Sequence, residues 1–112
     1  MRNILFLLII ISAACVKKNE IPEEIYPKSK MAEVLIDIHL LEQKLDQMGM
    51  EYDSQQVMYR HFEQLIFEKH QIDTIKYGQS INYYYAHVEE LESIYEIIVD
   101  SLSVREKTRD IR

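Results

Sequence analysis

Apolar side chains recur three and four residues apart along most of this chain, and this spacing is the strongest constraint on its fold. The clearest run predicts a helix from about Lys30 to Met48, with Ser29 as its N-cap and Gly49 as its stop. Its apolar residues are Met31, Val34, Leu35, Ile38, Leu41, Leu45 and Met48. Only two glycines and two prolines occur in 112 residues, which favours long helices over sheets with tight turns.

Two further helices follow from capping and periodicity. One is predicted over about Ser54–Lys69, where Asp53 as N-cap and Gln56 at the third helical position form a capping box. Its predicted core stripe consists of Met58, Phe62, Leu65 and Ile66. The next is predicted over about Thr74–Tyr85, with Asp73 as its N-cap.

A break near Ala86 and His87 is predicted to begin a fourth helix, since Glu89 and Glu90 suit the first turn of a helix. That helix is expected to fray into the mixed-charge sequence VREKTRDIR. No stretch alternates apolar and polar residues as a strand would. The fold class is therefore an all-α, small bundle of three to four amphipathic helices, with orthogonal and up-down packing both open.

The N-terminus reads MRNILFLLIIISAAC, which has the parts of a cleaved export signal. Arg2 is the positive residue, Ile4–Ile11 is an unbroken apolar run, and small residues follow it. The run is too short for a transmembrane helix, which needs about 20 apolar residues. Cleavage is expected between Ala14 and Cys15, which is the only cysteine.

Ser12–Cys15 resembles the lipobox of bacterial lipoproteins, although Ser12 stands where an aliphatic residue is usual. The resemblance implies a covalent lipid on Cys15. No cofactor is expected. Residues 15–28 are polar and predict a flexible tether, followed by a helical domain over 29–108 and a frayed tail over 109–112. Because Lys17 and Lys18, rather than acidic residues, follow Cys15, the resemblance favours an outer-membrane lipoprotein that faces the periplasm.

The formal charge of −6 argues against nucleic acid as a partner. Nucleic-acid binding calls for a basic patch, so none is expected. The expected contacts are with the membrane through the lipid anchor and with another envelope protein.

The order of sequence motifs resembles a family of short Bacteroidota lipoproteins that is classed only as a domain of unknown function. The motifs are KMAEVLIDIHLLE, HQIDTIKYGQSINYYY and LESIYEIIVDSL. The likeness extends from about Met31 to Leu102, with Val88 where the family often has proline. It implies a helical fold and an envelope location, and it brings no catalytic residues.

Asp37 and His39 are the most chemically suggestive pair. Residues two apart on a helix point in different directions, so the two are not expected to share a metal or a proton. We predict a structural polar role, in which Asp37 accepts a hydrogen bond from a tyrosine of the third helix. The alternative is a hydrolase that uses Asp37 with a histidine. His61, His70 and His87 lack metal-ligand spacing, so no metal site is predicted.

Three apolar or aromatic residues are candidates for partner contact. Ile36 and Leu40 lie opposite the main stripe of the first helix, where they cover a second internal layer or meet a partner. Of the three consecutive tyrosines, Tyr84 and Tyr85 fit the inward face and Tyr83 points outward. There Tyr83 either meets a partner or lies against a neighbouring helix with its hydroxyl in water.

These features predict a membrane-anchored, non-enzymatic interaction or accessory module of the cell envelope. The alternative is a carrier of a small ligand or lipid, with tyrosine and methionine side chains lining a pocket between helices.

Overall fold

The computed structural model describes residues 20–110, which form four α-helices. They are α1 (Lys28–Gln47), α2 (Tyr52–Lys69), α3 (Thr74–Ala86) and α4 (Val88–Asp110). No strand occurs within this described range. The predicted all-α bundle is confirmed.

Helix α1 is the centre of the bundle, because it packs on both sides. Towards α2, Val34 and Ile38 contact Phe67. Towards α3 and α4, the buried cluster consists of Met31, Ala32, Leu35, Ile36, Tyr84, Ile94 and Ile98. The apolar surface of α1 is therefore wider than the single stripe that its sequence suggests.

The directions of the helices follow from their pairwise contacts. Asp46 pairs with Gln55 and Asp37 with Lys69, so α1 and α2 are antiparallel. Lys28 pairs with Glu90, and the His39 ring lies 6.3 Å from that of Tyr95. Helices α1 and α4 therefore run in the same direction. In a strictly up-down bundle of four helices, the first and fourth would run in opposite directions.

Three of the predicted boundary features are confirmed. Gly49 ends α1 with a φ of +61°, a conformation that glycine adopts without steric cost. Asp73 caps α3 by accepting a hydrogen bond of 2.8 Å from the backbone nitrogen of Lys76. The break before α4 also occurs where predicted, since His87 lies between Ala86 and Val88.

The other predicted helix starts are wrong. Helix α1 begins two residues earlier, with Pro27 at the N-cap and Ser29 inside the first turn. Helix α2 begins at Tyr52 with Glu51 at the N-cap, and no side chain caps it, so the Asp53 capping box does not form. Asp53 instead lies in the first turn, where its charge favours the helix dipole.

The predicted fraying of α4 is also wrong over the described residues, because the helix continues to Asp110. Lys107 and Arg109 lie in the last turn, where positive charge is favourable. Ile111 and Arg112 lie outside the described residues.

The predicted flexible tether is corrected over residues 21–27, which we call the N-terminal strap. Ile21, Ile25 and Tyr26 pack against the core, which explains why three large apolar residues occur in a polar segment. The Tyr26 backbone nitrogen donates to the buried Ser80 Oγ at 2.8 Å, and its carbonyl accepts from the Tyr84 hydroxyl at 2.8 Å. The strap is therefore part of the folded domain, while residues 15–19 of the predicted tether, Cys15 among them, lie outside the described residues.

Candidate functional site

Asp37 and His39 point to different parts of the molecule, as expected for residues two apart on α1. His39 is exposed and its Nδ1 lies 3.1 Å from the Glu42 carboxylate. Asp37 faces the end of α2 and does not accept a hydrogen bond from a tyrosine of α3, so that expectation is wrong. Its partners are Lys69 and His70.

Asp37 is the centre of a small polar cluster. Its Oδ2 accepts from Lys69 Nζ at 2.8 Å and from His70 Nε2 at 2.7 Å. The side chains of Asp37 and His70 are mostly buried, being 17% and 13% exposed. Burial raises the pKa of the Asp37 carboxyl, but the hydrogen bonds and positive charge of Lys69 and His70 outweigh it. The pKa is consequently lowered from its ordinary value of 3.8.

The Asp37–His70 contact meets one geometric requirement of the hydrolase alternative. A hydrolytic triad also needs the second ring nitrogen of the histidine directed at a nucleophile. Here Nδ1 of His70 instead faces Glu33, whose Oε2 lies 4.0 Å away. An imidazole between two carboxylates is suited to holding α1 and α2 together, and the arrangement resembles a structural ion cluster.

Ile36 and Leu40 do not form an exposed ridge. Ile36 is 3% exposed within the main core, and Leu40 is half-buried against the same core. The partner-contact interpretation is wrong for Ile36, because a second helical layer covers it. Leu40 remains partly accessible.

The consecutive tyrosines are arranged differently from the prediction. Tyr84 is buried as expected, but Tyr85 is 66% exposed. Tyr83 is half-buried, and its ring stacks on that of His87 with a centroid distance of 4.0 Å. Tyr83 therefore covers the α3–α4 corner, and Tyr85 is the more accessible ring.

An open apolar groove runs between α1 and α2, with a volume of about 480 Å³. Its apolar lining is Leu40, Leu41, Leu45, Met48, Met58, Phe62, Leu65 and Ile66. Phe62 and Leu65 are 38% and 45% exposed, so they are not the core residues that the sequence predicted. We call this feature the α1–α2 groove.

Charged residues border the same groove. Asp37 and Lys69 line it together with Lys44. Asp37 neutralises Lys69 through their ion pair, whereas Lys44 adds an exposed positive charge. The groove thus combines apolar surface with a locally basic edge in an acidic chain.

A second concave feature lies among all four helices. This tyrosine cleft has a volume of about 260 Å³, and five tyrosines line it: Tyr59, Tyr77, Tyr84, Tyr85 and Tyr95. His39 and Glu42 lie at its polar edge, whereas Met31 and Ile94 form a buried apolar floor. The carrier alternative requires a pocket of this kind between helices.

Sequence reasoning predicted a tyrosine-lined pocket between helices, as an alternative, without locating it, and it missed the groove. The reason is identifiable. The short connection between α1 and α2 favours antiparallel neighbours, and this signal would have placed Asp37 near the end of α2. The length of that connection does not reveal the distance between the apolar faces of neighbouring helices. Whether Leu65 or Tyr59 fills the core or lines a gap depends on that separation.

Within residues 20–110, every helix is too short or too polar to cross a bilayer. In that same range, no three histidine, cysteine, aspartate or glutamate side chains come close enough to hold a metal ion.

Comparison with known proteins gave a family and no close relative. Neither the curated proteins nor the solved structures produced a match. One family model matches residues 22–108, which include all of the strap except Ile21 and all but the end of α4. The chain therefore belongs to the family described as a domain of unknown function, DUF4296.

Proposed function

We propose that this chain is a lipoprotein anchored through Cys15 to the outer membrane, where its helical domain serves as a non-enzymatic interaction module facing the periplasm. The N-terminal sequence supports the anchor, since an apolar run and small residues precede the lone cysteine. The α1–α2 groove is the single observation that best supports the interaction.

The expected occupant of the groove is an amphipathic helix of another envelope protein. A helix of this kind places apolar side chains at i, i+3, i+4 and i+7, and such a ridge fits an elongated apolar groove. The basic edge at Lys44 calls for a carboxylate beside that ridge. Exposed Met48 adds an adaptable contact surface at one end.

A photo-crosslinking residue placed at Leu65 in intact cells tests the groove. We expect an adduct with an amphipathic helical segment of one envelope protein, because Leu65 lines the groove. The matched site is Val57, which is also on α2 and 63% exposed but does not line the groove. Equal adducts at both sites, or no adduct at Leu65, would contradict the proposed surface.

The anchor is tested separately by Cys15→Ser. We expect the variant to lose incorporation of labelled palmitate and to accumulate as uncut precursor, because the thiol that accepts the lipid is gone. Processing of the variant at the normal rate would rule out the lipoprotein assignment.

A carrier of a small ligand is the second candidate function. The tyrosine cleft favours it, since ligand sites are concave, largely apolar and lined by a few convergent polar groups. The groove and the cleft have no lining residue in common, so the two functions are compatible.

A further inference from the structure

The tyrosine cleft has walls from every helix of the bundle. Tyr59 comes from α2, Tyr77 and Tyr85 from α3, and Tyr95 from α4, while α1 supplies the opposite wall. An engineered cavity of about 150 Å³ in another protein admits benzene. A space of about 260 Å³ therefore has room for a small organic molecule.

Aromatic rings dominate the chemistry of this space. Tyr84 forms part of the buried wall, and its hydroxyl is already used in the bond to the strap. Tyr85 and Tyr95 are 66% and 42% exposed, so they border the entrance. Ring faces carry partial negative charge, and several rings around one cavity attract a cation.

Carboxylates make the same region electrically negative. Glu42 lines the cleft, and the negative charge of Glu63 acts on the neighbouring Tyr59 hydroxyl. Burial raises the pKa of Tyr77 to about 12, with further contributions from Glu63, Tyr85 and Glu42. Burial likewise raises the pKa of Tyr59, reinforced by Glu63 and Glu42. The phenols of Tyr59 and Tyr77 are therefore neutral at physiological pH. The negative charge of the nearby carboxylates favours a positively charged ligand.

We propose that the tyrosine cleft binds a small organic ammonium ion, with the rings of Tyr59, Tyr77, Tyr85 and Tyr95 around the cation and the Glu42 carboxylate beside it. This proposal rests on the carrier candidate and names the class of its ligand. Aromatic cages that bind quaternary ammonium groups use the same combination of rings and charge.

The test uses choline as the probe and 3,3-dimethyl-1-butanol as its uncharged equivalent of the same shape. Binding to the full mature chain is followed through the tyrosine ring resonances in NMR titrations. We expect saturable shifts with choline and an affinity for the alcohol that is at least about tenfold weaker, because only the cation interacts with the rings and the carboxylate.

Two variants assign the binding to the cleft, each with a matched control. Glu42→Gln should weaken choline binding about fivefold, whereas Glu106→Gln, the same change near the end of α4, should not. Tyr85→Leu should weaken binding by a similar factor, whereas Tyr52→Leu should not. Tyr85 and Tyr52 are 66% and 72% exposed, so neither replacement removes a core residue.

The outcomes separate the ligand class from the carrier function. Equal affinity for choline and the alcohol would overturn the cation proposal but leave the cleft as a ligand site. Saturable binding that survives Glu42→Gln and Tyr85→Leu unchanged would also overturn it, because the cation would then bind elsewhere. No saturable shift with either compound would overturn the proposal, and the carrier candidate would then require a ligand of another class.

Discussion

Asp37 connects two helices through one carboxylate. Its Oδ2 accepts from both Lys69 and His70, so loss of the charge would leave two donors at the end of α2 without their acceptor. Hydrogen bonds to charged groups typically contribute more than those between neutral groups. At the residue scale, Asp37 is therefore a determinant of how α2 sits on α1.

Asp37→Asn should lower the free energy of unfolding by about 1 to 2 kcal/mol near neutral pH. The folded pKa of Asp37 lies below its ordinary value of 3.8, so the carboxylate stabilises the fold above that value. This contribution is lost as the pH falls through the folded pKa. The difference between the parent and the variant should consequently shrink between neutral pH and pH values below the folded pKa.

Urea unfolding across this pH range measures the effect, with Asp100→Asn as the control. Asp100 is exposed on α4, and its replacement should change stability little at any pH. A difference between the parent and Asp37→Asn that stays constant with pH would contradict the role assigned to the ionised carboxylate.

At the scale of the helical elements, α1 differs from its neighbours in being covered on two sides. Its three-four periodicity predicts the helix and the face that contains Val34, Leu35 and Ile38. The same periodicity cannot say how many neighbours a helix has, so the burial of Ile36 depends on the position of α4. The packing of the strap against the core could not be predicted for a related reason. The strap has no helical periodicity, and Tyr26 is held by residues far away in the sequence.

Ile36→Ala should cost about 2 to 5 kcal/mol of stability, because it leaves a cavity beside α4. The matched change Ile75→Ala should cost less than about 0.5 kcal/mol, since Ile75 on α3 is 72% exposed. Chemical denaturation of both variants gives the comparison. Equal stabilities would show that Ile36 is not a core residue.

At the scale of the whole molecule, α1 joins two buried clusters into one unit. Phe67 contacts one face of α1, and Ile94 packs against the other. Neither cluster retains a complete set of contacts without α1. The two sides of the bundle should therefore unfold together.

We expect a single unfolding transition, with coincident curves from far-UV circular dichroism and tyrosine fluorescence. Phe67→Ala and Ile94→Ala, one in each cluster, should both shift that same transition to lower denaturant concentration. Because tryptophan is absent, the fluorescence comes from tyrosine, and five of the eight tyrosines lie on α3 and α4. Two separated transitions, each sensitive to only one of the variants, would contradict this description.

The docked strap sets a limit on how far the domain could move from a membrane. Ile21 lies only six positions after Cys15, and a fully extended chain spans at most about 3.6 Å per residue. If Cys15 carries the proposed lipid, the start of the strap at Ile21 stays within about 20 Å of the bilayer surface. A partner on the same membrane would then meet the groove at a raised effective concentration, so that a weak contact would suffice to keep the two together.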